Sequence, residues 1–224
     1  MTERHEQADS AIRLRAALDA PDSSMRLQAA LTAGTRPAPE FIDVLVARCA
    51  VEPDFYVRDM LTWALIHQER AATMERLLPE LRSEIPQARS QAMHTLSKVG
   101  DPAAWPAIPR ELLTDSDDEV ARAAWRAAVG LAPAEDRRQL ADVLGTQFAR
   151  GDRDVQLSLS RALAELGVAA EPTVDQAKTH PDEAVRVHAV ATERIMQDPA
   201  EGFDAAMHEA KRAVALRGAP QADG

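Results

Sequence analysis

Five arginines recur along the chain at intervals of about thirty residues, and four of them follow an aspartate by four positions. The pairs are Asp22 with Arg26, Asp54 with Arg58, Asp118 with Arg122 and Asp182 with Arg186, and Arg89 holds the same slot without an aspartate. On a helix, this spacing places a carboxylate near the positive N-terminus and a guanidinium one turn later. Two kinds of chemistry fit the pattern: internal pairing of the two charges, or a row of cations that binds an anionic partner.

Residues that could carry catalysis or hold a metal are few. Cys49 is the only cysteine and lies in the apolar segment FIDVLVARCAV, which favours a small buried side chain over a reactive thiol. His–Glu pairs occur at His5–Glu6 and His208–Glu209, but neither recurs with the arginines. The chain contains no glycine-rich phosphate loop and no local signature of a nucleophile. We therefore expect no metal and no cofactor, and the sequence does not favour an enzyme.

Composition bounds the class of protein and its partners. The chain has 224 residues, of which 46% are hydrophobic and 28% charged, as in a folded protein. Its formal net charge of −10 disfavours nucleic acid, whose binding proteins present basic surfaces. Abundant alanine and arginine are typical of a GC-rich, bacterial coding bias. The N-terminus lacks the apolar core of a signal peptide, and no apolar run reaches the ~18 residues of a membrane span. We expect a cytoplasmic protein, and a monomer is favoured.

A short amphipathic motif returns six times, and the arginine slot marks each copy. With Gln156 in the fifth slot, successive slots lie 32, 31, 33, 34 and 30 residues apart. A period of this size indicates a solenoid, in which each repeat buries its apolar face only against its neighbours. The sequence thus predicts an all-α fold: one continuous α-α superhelix of about six helix pairs over residues 8–200, a capping helix over 201–216, and mobile tails at 1–7 and 217–224.

Each motif lies on the second helix of a pair, and another amphipathic segment precedes it. The first helices are predicted at about Ala8–Ala20, Pro39–Val51, Gln68–Leu81, Pro102–Leu113, Pro133–Ala149 and Val168–Lys178. The second helices are predicted at about Ser23–Ala33, Asp54–His67, Pro86–Val99, Asp117–Leu131, Asp152–Leu166 and Pro181–Gln197.

Turn residues mark the boundaries of these helices. Pro-Asp at 21–22, 53–54 and 181–182 predicts a capping carboxylate ahead of three second helices. Pro106 and Pro109 predict a kink or a late start in the fourth first helix. Left-handed C-terminal caps are predicted at Gly34, Gly100, Gly130 and Gly167.

These features resemble the HEAT-repeat family. The resemblance rests on helix pairs with an Asp-x-x-x-Arg step, a seam of small residues (Ala29, Ala92 and Ala189) and the Gly-Asp-Pro turn that begins at Gly100. It is closest to the short HEAT-like repeats first associated with phycobilisome lyases, and it covers residues 8–197. The resemblance implies that the Asp–Arg pairs form a ladder of hydrogen bonds between successive repeats. Junctions that lack the aspartate, at Ile85, or the arginine, at Gln156, should then be tied less strongly.

The resemblance also implies that the second helices line a concave inner face. Positions two, five and nine residues after the arginine slot should lie on that face, and the second and third repeats carry the most distinctive side chains there. Together with two neighbours on the same helix, the candidate binding patch comprises Tyr56, Asp59, Met60, Trp63, His67, Gln91, His94 and Lys98. Aromatic residues are favoured in binding hot spots. Alternatively, Trp63 fills a gap between repeats and the two histidines are solvated.

Within this family, other functions are less well matched. A hydroxylase family holds di-iron with His-Glu pairs in its repeats, a pattern that the two displaced pairs here do not meet. A DNA glycosylase family uses tryptophan, aspartate and arginine on a basic concave face, which Trp63, Asp59, Arg58 and Arg122 could imitate, although the net charge opposes phosphate contacts. A lyase-type accessory role rests only on the name of the repeat class. The chain is also similar to HEAT segments of MerR-type regulators, as a sensory or docking half.

The sequence thus favours a non-catalytic scaffold without a cofactor that binds a protein, peptide or small effector through its concave face. A regulatory role is one form that this binding function could take. The identity of that partner is not encoded in any motif. A DNA glycosylase or DNA-binding protein and a lyase-type accessory protein are the alternatives.

Overall fold

The computed structural model describes the backbone of residues 2–218 and the side chains of residues 7–216. Every regular element within residues 2–218 is helical, which confirms the predicted all-α class. The chain forms two compact units that meet in sequence between Leu131 and Ala132. The prediction of one continuous stack across that boundary stays a prediction. No helix in the described part of the chain combines the length and apolar character needed to cross a membrane.

The first unit holds four of the predicted helix pairs. Its α-helices are α1 (Thr2–Leu18), α2 (Ser23–Thr35), α3 (Phe41–Cys49), α4 (Phe55–Ile66), α5 (Arg70–Leu77), α6 (Pro86–Val99) and α7 (Asp118–Leu131). The first helices α1, α3 and α5 contact each other in that order, and so do the second helices α2, α4, α6 and α7. This layering of like helices on like is the arrangement of an α-α solenoid.

The second unit holds the last two pairs and the final helix. Its α-helices are α8 (Arg137–Gly145), α9 (Arg153–Leu166), α10 (Glu171–Ala177), α11 (Glu183–Gln197) and α12 (Phe203–Gly218). Helix α8 contacts α10, and α9 contacts α11, as in the first unit. Helix α12 packs on α11 through Phe203, Ala206, Ala210 and Val214, so it covers the apolar face of the last pair.

The predicted ends of the chain differ from those in the structure. Helix α1 begins at Thr2, earlier than the predicted start at Ala8, and so includes most of the segment expected to be a tail. Helix α12 begins two residues later than predicted. Residues 219–224 of the second predicted tail lie outside the described residues, as do Met1 and the side chains before Gln7.

Prolines shape the first helices, as the sequence predicted. In the fourth pair, Pro106 and Pro109 replace an α-helix by two 3₁₀ segments, Pro102–Ala107 and Arg110–Thr114, because proline supplies no N–H for an i→i−4 bond. In the third pair, the predicted helix continues beyond α5 only as the 3₁₀ segment Leu78–Arg82, which contains Pro79.

Two of the four predicted glycine caps are wrong. Gly100, with φ of +64° and ψ of +27°, ends α6 in the predicted left-handed conformation. Gly167 also ends α9 with a positive φ of +59°, but its ψ of −131° lies outside the left-handed helical region. Gly34 and Gly130 instead lie inside α2 and α7. At Gly34 the missing side chain permits a close approach of α4, because a Cβ there would lie 2.6 Å from Trp63 Cε3 and 3.0 Å from Ala64 Cα.

Aliphatic side chains of the second helices form the core, as the periodicity predicted. Leu61, Leu65 and Leu96 are fully buried in the first unit, and Leu159 and Leu163 in the second. The Trp125 side chain is also fully buried, and its Nε1–H donates to the Leu113 carbonyl at 2.8 Å. Burying a large apolar side chain contributes about 1.5–3 kcal/mol. These residues therefore hold the second helices in place and fix the positions of the polar side chains beside them.

Candidate functional site

The aspartates of the predicted ladder cap the second helices. Asp22 accepts a hydrogen bond from Ser24 N at 2.8 Å, and Asp54 accepts from Tyr56 N and Val57 N. Asp182 likewise accepts from the backbone N–H of Ala184 at 2.8 Å. In α7 the capping carboxylate belongs to Asp117, which accepts from Glu119 N and Val120 N, whereas Asp118, the predicted ladder residue, is the first residue of the helix. The capping role follows from the sequence; the partners of the arginines do not.

The partner of Arg26 in the next repeat is Glu52. Arg26 Nε donates to Glu52 Oε2 and Nη2 donates to Oε1, both at 2.8 Å. Its Nη1 donates to the carbonyls of Ala20 and Pro21, at 3.0 and 2.9 Å. The guanidinium thus joins the loop before α2 to the loop before α4. The first rung of the ladder is an Arg–Glu pair rather than the Asp22–Arg26 pair that the sequence suggested.

Glu52 is fully buried and collects several donors. Its carboxylate also accepts from Arg48 Nε at 2.8 Å and from the Asp54 backbone N–H at 2.9 Å. Burial by itself would raise the pKa of Glu52, but the hydrogen bonds from Arg26, Asp54 N and Arg48 outweigh it and lower the pKa to about 2. Glu52 is therefore ionised in the folded protein.

A second rung of the same kind joins the third and fourth repeats. Arg89 Nε donates to Asp115 Oδ2 at 3.0 Å and Nη2 donates to Oδ1 at 3.2 Å, while Nη1 donates to the Ser83 carbonyl at 2.8 Å. The expectation of a weak junction at the third repeat, where Ile85 replaces the aspartate, is wrong. The bidentate pair between repeats requires a carboxylate in the loop of the following repeat, not one at the N-cap of the helix that carries the arginine.

Arg58 has the loop contacts of Arg26 without a carboxylate. Its Nη1 donates to the carbonyls of Glu52 and Pro53 at 3.0 and 2.8 Å. Its guanidinium carbon lies 5.9 Å from the centre of the Phe55 ring. Among the described residues, no carboxylate lies within 4.0 Å of this guanidinium. These contacts hold Arg58 to the loop before its own helix, so that among the described residues this slot makes no hydrogen bond to the third repeat.

The remaining slots differ again. Arg122 Nη1 donates to Glu119 on its own helix at 2.7 Å. Arg186 Nη1 donates to the carbonyls of His180 and Pro181, at 2.8 and 2.7 Å, and its Nη2 lies 4.0 Å from Glu183. Gln156, which replaces an arginine, donates only at 3.3 Å to the Gly151 carbonyl. At five of the six slots the side chain thus donates to a carbonyl of its own preceding loop: Arg26, Arg58, Arg89, Gln156 and Arg186.

A groove of about 330 Å³ runs across α4, α6 and α7. Its lining combines charged side chains of α4 and α7 with polar side chains of α6 and the ring of Phe55. The lining residues are Phe55, Arg58, Asp59, Ser90, Gln91, His94, Glu119, Arg122, Ala123 and Arg126. In α4 and α7 these positions lie at −3, 0, +1 or +4 from the arginine slot, a single helical stripe. The groove therefore includes the arginine slot itself, for which the sequence predicts a place in the ladder.

The predicted patch divides between this groove and its surroundings. Asp59, Gln91 and His94 line the groove. The other five members of the patch do not line it: Tyr56, Met60, Trp63, His67 and Lys98. On α4 the groove is lined by the arginine slot and by the residues three before and one after it, whereas the predicted row takes positions two, five and nine after the slot. The predicted row is therefore turned around α4 away from the groove.

Trp63 packs toward α2 instead of into the groove. Its half-buried ring lies over Gly34, where a Cβ would overlap it. Its ring centre is 4.2 Å from that of His67, whose Nδ1 lies 2.8 Å from the Trp63 carbonyl oxygen. This is the alternative in which Trp63 fills a gap between repeats.

Two exposed aromatic rings stand at the edge of the groove. The side chains of Phe55 and Tyr56 are 67% and 74% exposed, and their rings meet edge to face at 5.6 Å between centres. Phe55 was not among the predicted residues, although its place directly after the Asp54 cap was visible in the sequence. Large apolar side chains this exposed commonly mark interaction sites.

His94 lies between opposite charges in the groove. Burial is the largest cause that lowers its pKa, and the positive charges of Arg126 and Lys98 add to it, whereas Asp59 opposes them. The imidazole is therefore neutral near pH 7. An anion that entered the groove would act in the same direction as Asp59 and raise this pKa.

A buried polar network in the second unit centres on His188. Its Nδ1 accepts from the Ala149 N–H at 3.0 Å, while Nε2 lies 3.1 Å from both the Gln156 carbonyl and Ser160 Oγ. Burial lowers the pKa of His188 to about 4, against the opposing effect of the Gln156 carbonyl. The neutral imidazole thus holds Ala149, which has φ of +65°, in a left-handed conformation. The network is structural, since every ring nitrogen is bound internally.

Groups suited to metal or thiol chemistry are not assembled. Within the described residues, no three His, Cys, Asp or Glu side chains are grouped closely enough to hold a metal ion. Cys49 is buried, and burial raises the pKa of its thiol to about 12. Glu209 of the second His–Glu pair accepts from Arg212, and the side chains of His5 and Glu6 lie outside the described residues.

Comparisons with known proteins reach the fold level only. No family model matches the chain, and neither does any curated protein. Among solved structures, an engineered protein is 21% identical, with 90% of this chain and 97% of that chain covered and a TM-score of 0.46. The complex of CpcE and CpcF of phycocyanin lyase from Nostoc is 16% identical, covers 90% of this chain and 93% of that chain, and has a TM-score of 0.38.

Human deoxyhypusine hydroxylase in complex with glycerol is 15% identical, with 96% of this chain and 97% of that chain covered and a TM-score of 0.45. Likenesses this distant do not transfer a function, because one fold serves many. Membership in the HEAT family and the similarity to segments of MerR-type regulators remain predictions.

Proposed function

We propose that this chain is a non-catalytic helical-repeat scaffold that binds a protein or peptide partner in the groove across α4, α6 and α7. The observation that carries the proposal is the exposed pair Phe55 and Tyr56 beside a groove of about 330 Å³. Binding to a partner would remove both rings from water, which is favourable at roughly 25 cal/mol per Å² of apolar surface. Aromatic anchors of this kind dominate many protein interfaces.

The groove has features of a recognition surface rather than of a catalytic site. Its only hydroxyl nucleophile, Ser90, donates to the Gln87 carbonyl at 3.1 Å. His94 lines the same groove, but no hydrogen bond joins it to Ser90 among the described contacts. A nucleophile needs a base within about 2.6–3.2 Å. The side chains of the groove are better suited to binding charge and an apolar surface.

A nucleic-acid function is the second candidate, because Arg58, Asp59 and Arg122 line one groove as a glycosylase-like set would. Trp63, the aromatic member of that set, packs over Gly34 and does not line the groove. The net charge of −10 also opposes phosphate contacts. Salt-sensitive binding of duplex DNA, together with base release from alkylated DNA, would support this candidate over a protein partner.

A photo-cross-linking experiment tests the proposed partner-binding groove. Tyr56 is replaced by the photoreactive residue p-benzoylphenylalanine in cells that produce the protein naturally, and adducts formed on irradiation are identified by mass spectrometry. We expect one dominant protein adduct at this position. The captured protein is then purified, and its affinity is measured for the wild-type chain and for Phe55→Ala, which should weaken binding at least ~10-fold if the ring is an anchor.

Matched positions serve as controls. The same photoreactive residue is placed at Ile12 on α1 and at Val168 in the second unit, which are 64% and 78% exposed. Adducts of equal intensity at all three positions, or unchanged affinity in Phe55→Ala, would remove the groove as the binding surface.

A further inference from the structure

Two rungs of the ladder, those of Arg26 and Arg89, share one geometry. In both Arg26 and Arg89, Nη1 donates to a carbonyl of the preceding loop, and Nε with Nη2 binds a carboxylate through two parallel hydrogen bonds. The carboxylates belong to Glu52 and Asp115, each in the loop of the following repeat. The loop contact fixes the guanidinium, and its other edge is then oriented for a carboxylate.

Arg58 repeats the loop half of this geometry. Its Nη1 is held by the carbonyls of Glu52 and Pro53. Across the described residues, neither its Nε nor its Nη2 has a hydrogen-bond acceptor. Arg58 lines the groove. A ligand there can therefore reach its Nε–Nη2 edge, which is the edge that binds a carboxylate in Arg26 and Arg89.

A second cation, Arg126, stands across the groove from Arg58. Arg126 is exposed on α7, and the described part of the chain places no carboxylate within 4.0 Å of it. The lining contains three guanidinium groups against two carboxylates, those of Asp59 and Glu119. The groove is therefore locally positive on a protein whose net charge is −10.

We infer that the partner bound in this groove is an acidic peptide segment, and that one of its carboxylates takes the position at Arg58 that Glu52 occupies at Arg26. Arg126 binds a second acidic group or the same one from the opposite side. Phe55 covers the apolar part of the segment next to the carboxylate. This inference rests on the proposed function, since it names the chemistry of the partner at that site.

The charge distribution favours a peptide over a nucleic acid. A nucleic acid would extend its phosphates well beyond the groove and meet the net negative charge of the chain. A short peptide that brings one or two carboxylates to the groove meets mainly the local field, because charges beyond ~8 Å are screened at physiological salt. Exposed Tyr56 next to the groove adds apolar surface that a peptide side chain can cover.

The test uses two synthetic libraries of fluorescein-labelled octapeptides. One has glutamate at a central position, the other has glutamine there, and phenylalanine is fixed beside it in both, with the remaining positions randomised among uncharged residues. Binding to the full chain is measured by fluorescence polarisation. We expect the glutamate library to bind about 10-fold or more tightly, as is usual for a charge-assisted bidentate pair.

Variants of Arg58 and Arg126 test whether these two side chains cause the preference for glutamate. Arg58→Lys keeps the charge but loses the fork. Arg126→Gln removes an exposed cation that has no ion pair among the described residues, so we expect the fold to be kept. Both should reduce the preference for glutamate to about 3-fold or less. The control is Arg161→Gln, an exposed arginine on α9 in the second unit, which should leave the preference unchanged.

Each result decides the inference. Equal binding of the two libraries, or a preference that survives both Arg58→Lys and Arg126→Gln, would overturn it. Tighter binding of a 20-nucleotide single strand or duplex, with displacement of the glutamate peptides, would overturn it in favour of a nucleic acid. Photo-cross-linking at Tyr56 reports separately on the proposed function: a captured protein with no glutamate preference would retain the groove and reject the acidic ligand.

Discussion

Arg26 and Glu52 form a bidentate ion pair that joins the loops of two successive repeats, and both side chains are buried. Glu52 also binds Arg48, four residues before it. A carboxylate at this position therefore neutralises two cations and caps the backbone of the next helix through Asp54 N. The first two helix pairs depend on one side chain that is not part of the repeated motif.

Removal of the Glu52 charge should destabilise the first unit. Glu52→Gln is expected to lower the free energy of unfolding by about 3–5 kcal/mol, because it leaves the buried Arg26 guanidinium without a counter-charge. Arg48 would keep its exposed partner Asp19. Urea denaturation followed by circular dichroism measures the change. As a control, Asp204→Asn disrupts the exposed Asp204–Arg153 pair and should have little effect. Equal losses in the two variants would contradict the assigned importance of burial.

Acid should disrupt the same pair. The pKa of Glu52 in the folded protein, about 2, lies below its ordinary value of 4.5. Its contribution to stability is therefore fully present above about pH 4.5 and is lost as the pH falls from there toward 2. Unfolding free energies measured at pH 5, 4 and 3 should converge for the wild-type protein and Glu52→Gln. Parallel curves would show that Glu52 titrates normally in the folded state.

On acidification, His188 should cause a second loss of stability, in a pH range higher than that of Glu52. Its folded pKa of about 4 lies below the ordinary 6.5, so the neutral form is stabilised by folding. The contribution is present above about pH 6.5 and is lost as the pH falls toward 4. The slope of unfolding free energy against pH in this window should disappear in His188→Leu. The exposed His208 offers the matched control, and His208→Gln should keep the slope.

Gly34 should not tolerate a side chain. In Gly34→Ala the added Cβ would meet Trp63 Cε3 at 2.6 Å and the α4 backbone at Ala64 Cα at 3.0 Å, so α2 and α4 must separate. A loss of about 1–3 kcal/mol is expected from such overpacking. Trp63→Ala should destabilise the protein as well, and Gly34→Ala should cost much less in that background. The coupling is measured by a double-mutant cycle of urea denaturation. Additive losses would show that the two residues do not interact.

The pKa of His94 should respond to its neighbours in the groove. Titration of its ring by NMR should give a pKa below the ordinary 6.5. Arg126→Gln should raise this pKa by part of the shift only, since burial is the larger cause, and Asp59→Asn should lower it further. A pKa that is insensitive to both substitutions would mean that His94 does not sense the charges of α4 and α7.

Much of the fold could be predicted because the signals for it are local. The caps at Asp22 and Asp54 lie next to the helices they start, and Pro106 acts on its own helix. The candidate site was predicted only in part: Asp59, Gln91 and His94 line the groove, whereas Phe55 and Arg126 were missed. The error has a geometric cause, since a shift of one residue turns a side chain by about 100° around a helix.

The sequence by itself determined the helices, their order and their buried stripes, because capping and helical periodicity act within a few residues. Tertiary structure alone decided which carboxylate meets which arginine. Arg26 and Glu52 are 26 residues apart, and Gly34 and Trp63 meet only where α2 crosses α4. It also decided that Arg58 keeps its loop contacts without a carboxylate, since that depends on what the loop of the next repeat presents. Contacts between distant residues follow from packing, which no local pattern specifies.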